Sequence, residues 1–531
     1  IGRYYVADNV GVSDNNTTNY KTQLNGRLQY ETTIAQNHNI GAMFVYSEEY
    51  WHTRSTGASR NDRIHPSTSE INSALTNVQS NSGSSASEGL RSYIGRMNYS
   101  AYDKYLLEFS FRVDGSSKFI KGHQYGFFPT VAVGWRFTEE EFLKKYLSSW
   151  LSSGKLRASW GKLGDNSGVG RFEQLETLTA MNYMSSDVVK GFVNKKMINK
   201  DLSWEVSTDI NVGLDLGFLN NRLRTEIDFY NRLRTGMNRP SQMSIHLTGA
   251  YSAPRANIGD LLNRGLELNL TWKDKIGNVE YSVNLNGAYN RTVLKEWNEF
   301  LSRGWVYLDM PYHFLYVYEN NGIAQTWQDI YNNTPQGLSP GDVIRKDLNG
   351  DGIIDGKDKK AYPNIQRDRP TTTYGITLQA AWKGFDISML FNGGLGRKDF
   401  WLTDFNNTAF ADRRYASTWD HWTEPWSLEN RGGEWPRLGT STDRSDNSYW
   451  LYNMNYLRMK NIMLGYNLPK KLLSKISMTN LRIYASAENL FTVTQYPGLD
   501  PEKKNSARDL YPINRSFSIG LNAVSYTHLR A

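Results

Sequence analysis

The segment DLNGDGIIDGKD, residues 347–358, has the oxygen-bearing residues of a calcium-binding loop. Carboxylate or amide side chains fall at the ligand positions of such loops, and Gly352 falls where the chain must turn sharply. Ca²⁺ takes about six to eight oxygen ligands, so this spacing favours a structural divalent cation, while a solvated acidic turn is the alternative. The predicted metal ligands are Asp347, Asn349, Asp351, the carbonyl group of Ile353, Asp355 and Asp358.

Catalytic motifs find little support in this sequence. The 8 histidines include no His-Glu-x-x-His spacing, there is no cysteine to act as a nucleophile, and no glycine-rich phosphate loop precedes a helix. Acidic pairs such as Glu139 and Glu141 are better explained as a solvated turn than as glycosidase carboxylates, which must face each other across a cleft. We therefore predict a protein that is not an enzyme.

Composition points to a membrane protein that crosses with strands. No run of about 18 apolar residues exists, and the mean hydropathy is −0.60, so a transmembrane helix is excluded. The 33 tyrosines and 16 tryptophans suit the aromatic belts of a membrane-interface protein. Although the net charge is +8, the basic residues are scattered, so we predict no nucleic-acid binding.

Apolar and polar residues alternate with a period of two in many segments, which predicts β-strands. In residues 210–218 the apolar residues fall on even positions, and after the turn residues Asn220 and Asn221 the pattern resumes from Leu223, as expected of a hairpin. The alternating segments are residues 105–111, 131–137, 210–218, 223–229, 266–272, 279–285, 374–382, 385–391, 481–485 and 517–521.

The connections between these segments are of two kinds. Tight turns are predicted at residues 220–221, 275–278 and 383–384, and long connections at residues 165–203, 290–370 and 395–450. Short turns on one side and long loops on the other are typical of outer-membrane barrels, and a water-filled lumen explains the polar face of each strand. The fold class predicted is therefore all-β, an antiparallel transmembrane β-barrel with long extracellular loops, with a soluble β-sandwich as the alternative.

The long connections are rich in aromatic residues beside carboxylates and amides. Flat rings with neighbouring hydrogen-bonding groups hold sugar rings by stacking and by hydrogen bonds to hydroxyls, so these loops are candidates for substrate contact. The alternative is that the rings fasten the loops to each other or to a partner, because aromatics are enriched at interfaces of every kind. The predicted substrate-contacting residues are Trp305, Tyr307, Trp401, Trp419, Trp422 and Trp426.

Several segments in order along the chain carry a family resemblance. They are GRMNYSAYDKYLLEFSFRVDGSSKF (95–119), YGFFPTVAVGWRFTEEEF (125–142), GKLRASWGKLGDN (154–166), WEVSTDINVGLDLGFLNNRL (204–223), NRGLELNL (263–270), YLRMKNIMLGYNLPKKLL (456–473), LRIYASAENLFTVTQYPGLDPE (481–502) and the acidic loop with its preceding GDV. Together they resemble the barrel of SusC/RagA-type TonB-dependent transporters.

This resemblance implies an outer-membrane barrel of about 22 strands in a Gram-negative cell, plugged by an N-terminal domain. It implies import of oligosaccharides, or of peptides, with a SusD-like lipoprotein lying over the extracellular loops. It also implies energy from a TonB–ExbB–ExbD complex that pulls on the plug. A TonB-dependent siderophore-type receptor and a non-transporting outer-membrane binding protein are the alternatives.

Two boundaries are predicted within the family pattern. Residues 1–523 correspond to the C-terminal portion of such a barrel, roughly 14–16 strands, without the plug, the TonB box or a signal peptide. The alternation holds through Ala523, whereas Val524 falls on the wrong face. Residues 524–531 are therefore expected to be a non-native tail, with a natural variant end as the alternative.

Overall fold

A computed structural model describes most of the chain. The described residues are 11–63, 67–76, 79–147, 150–184, 188–194, 196–248, 253–299, 307–311, 314–401, 424–437, 447–473, 478–503 and 512–525. Within these ranges, no helix is both long enough and apolar enough to cross a membrane.

Within the described residues, one antiparallel sheet of fifteen strands dominates the structure. Each strand pairs with the sheet strand before it and the sheet strand after it in the chain, and the first and last strands pair on one side only. Pairing of consecutive strands is the simplest antiparallel arrangement. The sheet strands are β1 Val12–Ile34, β2 His38–Arg60, β3 Gln79–Ala101, β4 Tyr105–Ser116, β5 Tyr125–Trp135, β6 Leu151–Asp165, β9 Glu205–Phe218, β10 Leu223–Thr235, β13 Asp260–Ile276, β14 Val279–Glu296, β19 Thr372–Trp382, β20 Phe385–Leu395, β23 Tyr456–Asn467, β24 Met478–Thr494 and β25 Ser516–Ser525.

The connections between the strands of the large sheet contain small sheets of their own, which the sequence did not predict. Their strands are β7 Leu178–Met184, β8 Val188–Asn194, β11 Asn238–Pro240, β12 Arg255–Asn257, β15 Phe314–Tyr318, β16 Asn320–Ile323, β17 Val343–Arg345, β18 Lys359–Gln366, β21 Lys398–Phe400 and β22 Leu451–Asn453. Each small sheet has two strands, and the pairs are β7 with β8, β11 with β12, β15 with β18, β16 with β17 and β21 with β22. The helices are α1 Glu141–Leu147, α2 Ile245–Thr248, α3 Trp327–Tyr331 and α4 Lys470–Leu473, with 3₁₀ turns at Ile71–Ser73, Phe137–Glu139, Gly356–Asp358 and Ser448–Trp450.

The predicted all-β antiparallel fold is confirmed, and the alternating segments lie in strands of the large sheet except for the last two residues of segment 131–137. One detail differs, because Phe137 lies in a 3₁₀ turn after β5 rather than in the strand. The tight turns are also found. Asn220 and Asn221 adopt φ values of 59° and 61°, and Gly384 adopts 91°, the left-handed region that asparagine and glycine tolerate best.

Strands β1 to β3 are each 23 residues long and were missing from the sequence prediction. The signal is present in β1, where exposed apolar side chains recur on even positions between polar ones. The alternation of apolar and polar residues is weak at the start of β1 and in the first half of β3, where serine, asparagine and glycine occupy both faces. The exposed apolar residues of β1 are Tyr20, Leu24, Leu28, Tyr30 and Ile34.

The two faces of the sheet differ in chemistry, as strands β13 and β14 illustrate. On one face, Asn290 donates hydrogen bonds to the Asn263 Oδ1 atom at 3.2 Å and to the Tyr230 hydroxyl at 2.8 Å. On the other, large apolar side chains such as Leu266 and Tyr289 are exposed. An exposed apolar strand face backed by a polar one is the pattern of a barrel whose outside contacts lipid.

The chain divides into two compact units, each with its own core. The first comprises residues 1–134, 159–210 and 233–260, and its core packs Phe119, Val169 and Leu202 against Trp204. The second comprises residues 135–158, 211–232 and 261–531. A core of this second unit contains Leu315, Val317, Phe400 and Trp450.

Strand β25 continues through Ser525 and includes Val524, which pairs with Asn480. The strand therefore extends two residues beyond the predicted boundary at residue 523. Residues 526–531 of the predicted non-native tail lie outside the described residues.

Candidate functional site

The candidate site lies in the loop module, which we define as the described residues of 307–366, 397–401, 424–437 and 447–456. Hydrogen bonds join the two long connections that form it, and three of them illustrate the contact. Trp426 Nε1 donates to Gln325 Oε1 at 2.9 Å, Arg437 Nε donates to Asp342 Oδ1 at 2.8 Å, and the backbone amide of residue 320 donates to the Ser448 hydroxyl at 2.9 Å. The module therefore has a defined structure, all of it within the second unit.

The first half of the acidic loop consists of side chains that fold back onto the backbone. Asp347 accepts hydrogen bonds from the amides of Gly350 at 2.7 Å and Gly352 at 2.9 Å. Asn349 and Asp351 each accept from the amide two residues further on, at 2.9 Å and 3.0 Å. Gly352 adopts a φ of 78°, which confirms the sharp turn predicted there.

Asp358 closes the second half of the loop. Its side chain is 0% exposed and accepts hydrogen bonds from the amides of Leu348 at 2.9 Å and Asp355 at 2.8 Å. The backbone amide of Asp355 lowers the pKa of the Asp358 carboxyl group, and the amide of Leu348 adds to this effect against the opposing influence of burial. Asp358 thus holds both ends of the loop together as an anion.

The predicted ligands form a loop of the right order, but their carboxylates bond to backbone amides rather than meeting at one point. Across the described residues, the loop included, no three His, Cys, Asp or Glu side chains gather as a metal cluster would. A carboxylate oxygen has two lone pairs, so an oxygen that accepts one backbone hydrogen bond can still bind a cation. The residue types and their order, with the Asn349 amide and the Ile353 carbonyl oxygen, are those of a calcium loop, and the calcium site stays a prediction.

An aromatic cavity of about 590 Å³ adjoins the acidic loop. Its rings belong to Tyr307, Phe314 and Tyr316, whose centroids lie 5.6 to 6.1 Å apart, and to Phe400. The Tyr316 hydroxyl donates to the carbonyl oxygen of Gly356 at 3.0 Å, which fixes the cavity to the loop. Burial, and after it the neighbouring Tyr307, raises the pKa of Tyr316, so its hydroxyl stays a neutral donor.

Three cations complete the wall of this cavity, and the sequence prediction missed them. Lys357, Lys359 and Arg367 line it. Arg367 is held in place by Asp399, whose carboxylate accepts from its Nε atom at 2.8 Å, and its guanidinium lies 5.3 Å from the Phe400 ring centroid. The sequence did contain a signal for these cations, because lysines follow Gly356 directly at the end of an otherwise acidic loop.

The structure separates the predicted substrate-contacting aromatics into groups. Tyr307 is 42% exposed and lines the cavity. Trp401 is buried against Met454 and Tyr496, and Trp426 is buried with its Nε1 atom donating to Gln325. Their burial does not support direct substrate contact and agrees with the alternative that rings fasten the loops together. Trp305, Trp419 and Trp422 lie outside the described residues.

A buried ionic cluster anchors the segment that follows β24. Arg458 on β23 donates to Asp500 Oδ1 at 2.9 Å and to Glu502 Oε2 at 2.6 Å. Arg397 is also buried and donates to the carbonyl oxygens of Pro501 and Glu502 at 3.1 and 3.0 Å. Residues 497–502 (PGLDPE) are therefore held to β23 by Arg458 and to the loop module by Arg397.

Comparisons with known proteins agree with this architecture. Residues 2–335 match the family described as the β-barrel of TonB-dependent receptor-like proteins. TonB-dependent receptor P3 of Formosa agariphila is 30% identical over 473 residues, which are 82% of this chain and 45% of that protein. TonB-dependent receptor SusC of Bacteroides thetaiotaomicron is 30% identical over 453 residues, which are 82% of this chain and 43% of SusC.

A solved structure shares the fold over almost the whole chain. The RagAB peptide transporter superposes with a TM-score of 0.81 at 23% identity, covering 97% of this chain and 56% of that one. The chain thus spans about half the length of the relatives that it matches.

Proposed function

The chain belongs to the TonB-dependent receptor-like β-barrel family, in its SusC/RagA branch, and from this membership we propose that it is the barrel part of a nutrient importer. Members are outer-membrane proteins of Gram-negative bacteria, and the exposed apolar strand faces of this chain contact the lipid. The family consists of transporters rather than enzymes. The match of the barrel to SusC, at 30% identity over 82% of this chain, is the observation that carries the proposal.

The proposed cargo is an oligosaccharide, with a peptide as the second candidate. The exposed face of Tyr307 beside Phe314 offers rings for stacking on a sugar, and Lys357 and Lys359 offer donors for hydroxyl or carboxylate oxygens. The same cations suit the carboxylates of a peptide, which is the class named for the RagAB relative. The aromatic cavity is therefore the proposed contact site on the loops.

The proposed partners are those of SusC/RagA-type transporters. A SusD-like lipoprotein would lie over the loop module, and a TonB–ExbB–ExbD complex would drive transport through the plug of the full-length protein. The loop module supports the first part of this proposal because its two long connections are held together by specific hydrogen bonds. A loop region of defined shape is suited to a stable protein interface.

We also propose that the acidic loop binds Ca²⁺ in a structural role. Asp347, Asn349, Asp351, Asp355 and Asp358 with the Ile353 carbonyl oxygen would hold it, and the ion would offset the concentration of carboxylates. Because Tyr316 bonds to Gly356 within this loop, an ordered loop also orders one wall of the aromatic cavity.

The experiment uses the full-length protein in its native outer membrane. Cells that lack the gene are complemented with the wild type, with the Tyr307→Ala/Lys357→Ala variant, or with the Tyr331→Ala variant as a matched control. Tyr331 is an exposed tyrosine on α3 outside the cavity lining. Uptake of labelled oligosaccharides and of labelled peptides is measured, and the purified protein is examined for a co-purifying lipoprotein.

We expect uptake of one cargo class to depend on the gene. It should fall severalfold in the cavity variant and stay unchanged in the control, with a lipoprotein bound throughout. Uptake of both cargo classes at wild-type rates in the deletion strain would overturn the import proposal. Normal uptake in the cavity variant would remove this cavity from the transport path.

A further inference from the structure

A groove on the apolar face of strands β10, β13 and β14 carries three cations. Arg264, Arg291 and Lys295 line it together with Asp309, and its volume is about 460 Å³. All of these residues lie in the second unit. The apolar residues of its wall are Phe229, Leu262, Leu266, Tyr289 and Val293.

The two arginines lie on the lipid-facing side of their strands. Asn263 donates to the Thr292 hydroxyl at 3.1 Å across the β13–β14 pair, and both belong to the polar face. Successive side chains of a strand point to opposite faces, so Arg264 and Arg291 lie on the apolar face. The two-residue turn between Ile276 and Val279 brings them directly opposite each other.

The distance of Arg264 and Arg291 from the tight turn, measured across the membrane, places them at its outer border. On β14 the apolar face runs without a charged residue from Val279, beside the tight turn, up to Tyr289, whereas Asp274 interrupts it on β13. Ten residues at about 3.3 Å each, tilted by about 45°, rise roughly 23 Å, close to the ~25 Å apolar band of such barrels. Arg291 is the next residue on this face after Tyr289, and Arg264 lies opposite it on β13. Both therefore lie at the level of the lipid headgroups.

Among the described residues, no carboxylate forms an ion pair with Arg264 or Arg291. Like charges directly opposite each other on neighbouring strands are destabilising. Arg264 Nε donates to the neutral Asn231 side chain at 2.7 Å, and the buried Nε atom of Arg291 has no acceptor among the described residues. The acidic residue of the groove, Asp309, is paired with Lys295. The groove thus offers two guanidinium groups to an anion.

We infer that this groove binds a phosphate group of an outer-leaflet glycolipid. Arginine forks match phosphate oxygens in bidentate geometry, and a phosphate dianion would neutralise the pair. The acyl chains would lie below it against Tyr289 and Leu266, on the exposed apolar face. This site faces the membrane rather than the transport path, so it is independent of the cargo.

The test measures retained glycolipid on the full-length protein by native mass spectrometry in a mild detergent, after incubation with phosphorylated lipopolysaccharide. The Arg264→Gln/Arg291→Gln variant is compared with the wild type. The matched control, Lys273→Gln/Lys275→Gln, removes two exposed cations from the tight-turn end of the same hairpin. The Arg264→Lys/Arg291→Lys variant keeps the charge, and heat-modified gel mobility checks that each barrel is folded.

We expect bound glycolipid to fall about tenfold in the glutamine variant, the scale of one lost interfacial charge pair. It should stay at wild-type levels in the control and largely return in the lysine variant. Enzymatically dephosphorylated glycolipid should bind the wild type as weakly as intact glycolipid binds the glutamine variant, a comparison that needs no mutant to fold.

Equal retention by the glutamine variant and the wild type would overturn the inference, as would an equal loss in the control, which would indicate a general charge effect. Inorganic phosphate is added as a competitor. Displacement of the glycolipid by millimolar phosphate would identify a site for free anions and would also overturn the lipid assignment.

Discussion

The Arg458 guanidinium donates a 2.9 Å hydrogen bond to the Asp500 carboxylate, and these side chains are 3% and 1% exposed. Strand β23 and the segment after β24 are thereby joined by an ion pair out of contact with water. Each charge depends on the other, because an isolated buried charge is far more costly than a buried pair.

We expect Arg458→Ala to destabilise the full-length protein by about 3–5 kcal/mol, since it leaves Asp500 buried without its partner. The matched control is Lys460→Ala, two residues further along β23. Lys460 also reaches Glu502, at 3.4 Å, but is 40% exposed, so its loss should cost under about 1 kcal/mol. Thermal unfolding of the two purified variants measures the difference, and equal losses would contradict the buried-pair explanation.

Calcium should bind the acidic loop of the full-length protein with a stoichiometry of one. Asp347→Asn/Asp351→Asn should weaken binding by about tenfold or more, a loss of roughly 1.4 kcal/mol or greater, because ligand charge sets affinity in such loops. Isothermal titration calorimetry after chelator treatment provides the measurement.

The control for this variant is Asp329→Asn, which alters the capping box of α3 but lies outside the acidic loop. It should leave the calcium affinity unchanged. If the wild type gave no calcium-dependent heat and no rise in unfolding temperature, the loop would be a solvated acidic turn.

Acid should loosen the loop module through Asp358. The pKa of this group is lowered in the folded protein from its ordinary value of 3.8. A lowered folded pKa means that the stabilisation is complete above about 3.8 and is lost as pH falls further, through the folded pKa. Tryptophan fluorescence of the calcium-free wild type, prepared with a chelator, should therefore change between pH 5 and pH 2.

The Asp358→Asn variant should respond differently, because it resembles the protonated side chain at every pH. Its module should be less stable at neutral pH, and its fluorescence should vary less than that of the wild type below pH 4. A wild-type acid response in this variant would assign the transition to other carboxylates.

Gly393 on β20 has no room for a side chain. A Cβ atom there would come within 2.2 Å of the Tyr374 ring and 2.6 Å of the Tyr456 carbonyl oxygen. We expect Gly393→Ala to cost about 1–3 kcal/mol, the usual penalty of overpacking. Gly287→Ala on β14, whose nearest contact would be 3.8 Å away, should change stability by less than about 0.5 kcal/mol. Urea unfolding in detergent compares them.

The sequence was sufficient to predict the strands that have one apolar, lipid-facing side and one polar side. In β13, for example, Leu266 and Leu268 alternate with Glu267 and Asn269, so the period is explicit. The sequence was insufficient to predict β3, because its first half reads QSNSGSSASE and has no apolar face. That half is a strand because it pairs residue by residue with β2, from Gln79 opposite Arg60 onward.

Only the part of the candidate site whose residues are close together in the sequence could be predicted. The acidic loop is one continuous segment, and its turn at Gly352 follows from its residues. The aromatic cavity instead brings Tyr307 and Phe314 to Phe400, and no local pattern encodes that contact. The burial of Trp401 was equally hidden, because it depends on packing against Met454 and Tyr496 from later segments.

Hydrogen-bonded neighbours in the large sheet follow chain order, so β14 pairs with β19 across the long excursion of residues 290–371. Closing that excursion costs only roughly 3 kcal/mol more chain entropy than a two-residue turn, since the cost grows with the logarithm of length. Insertions there can therefore lengthen or diversify without disturbing the register of Tyr289 with Thr372. The long connections can therefore change in length and sequence, one at a time, while the paired strands keep their register.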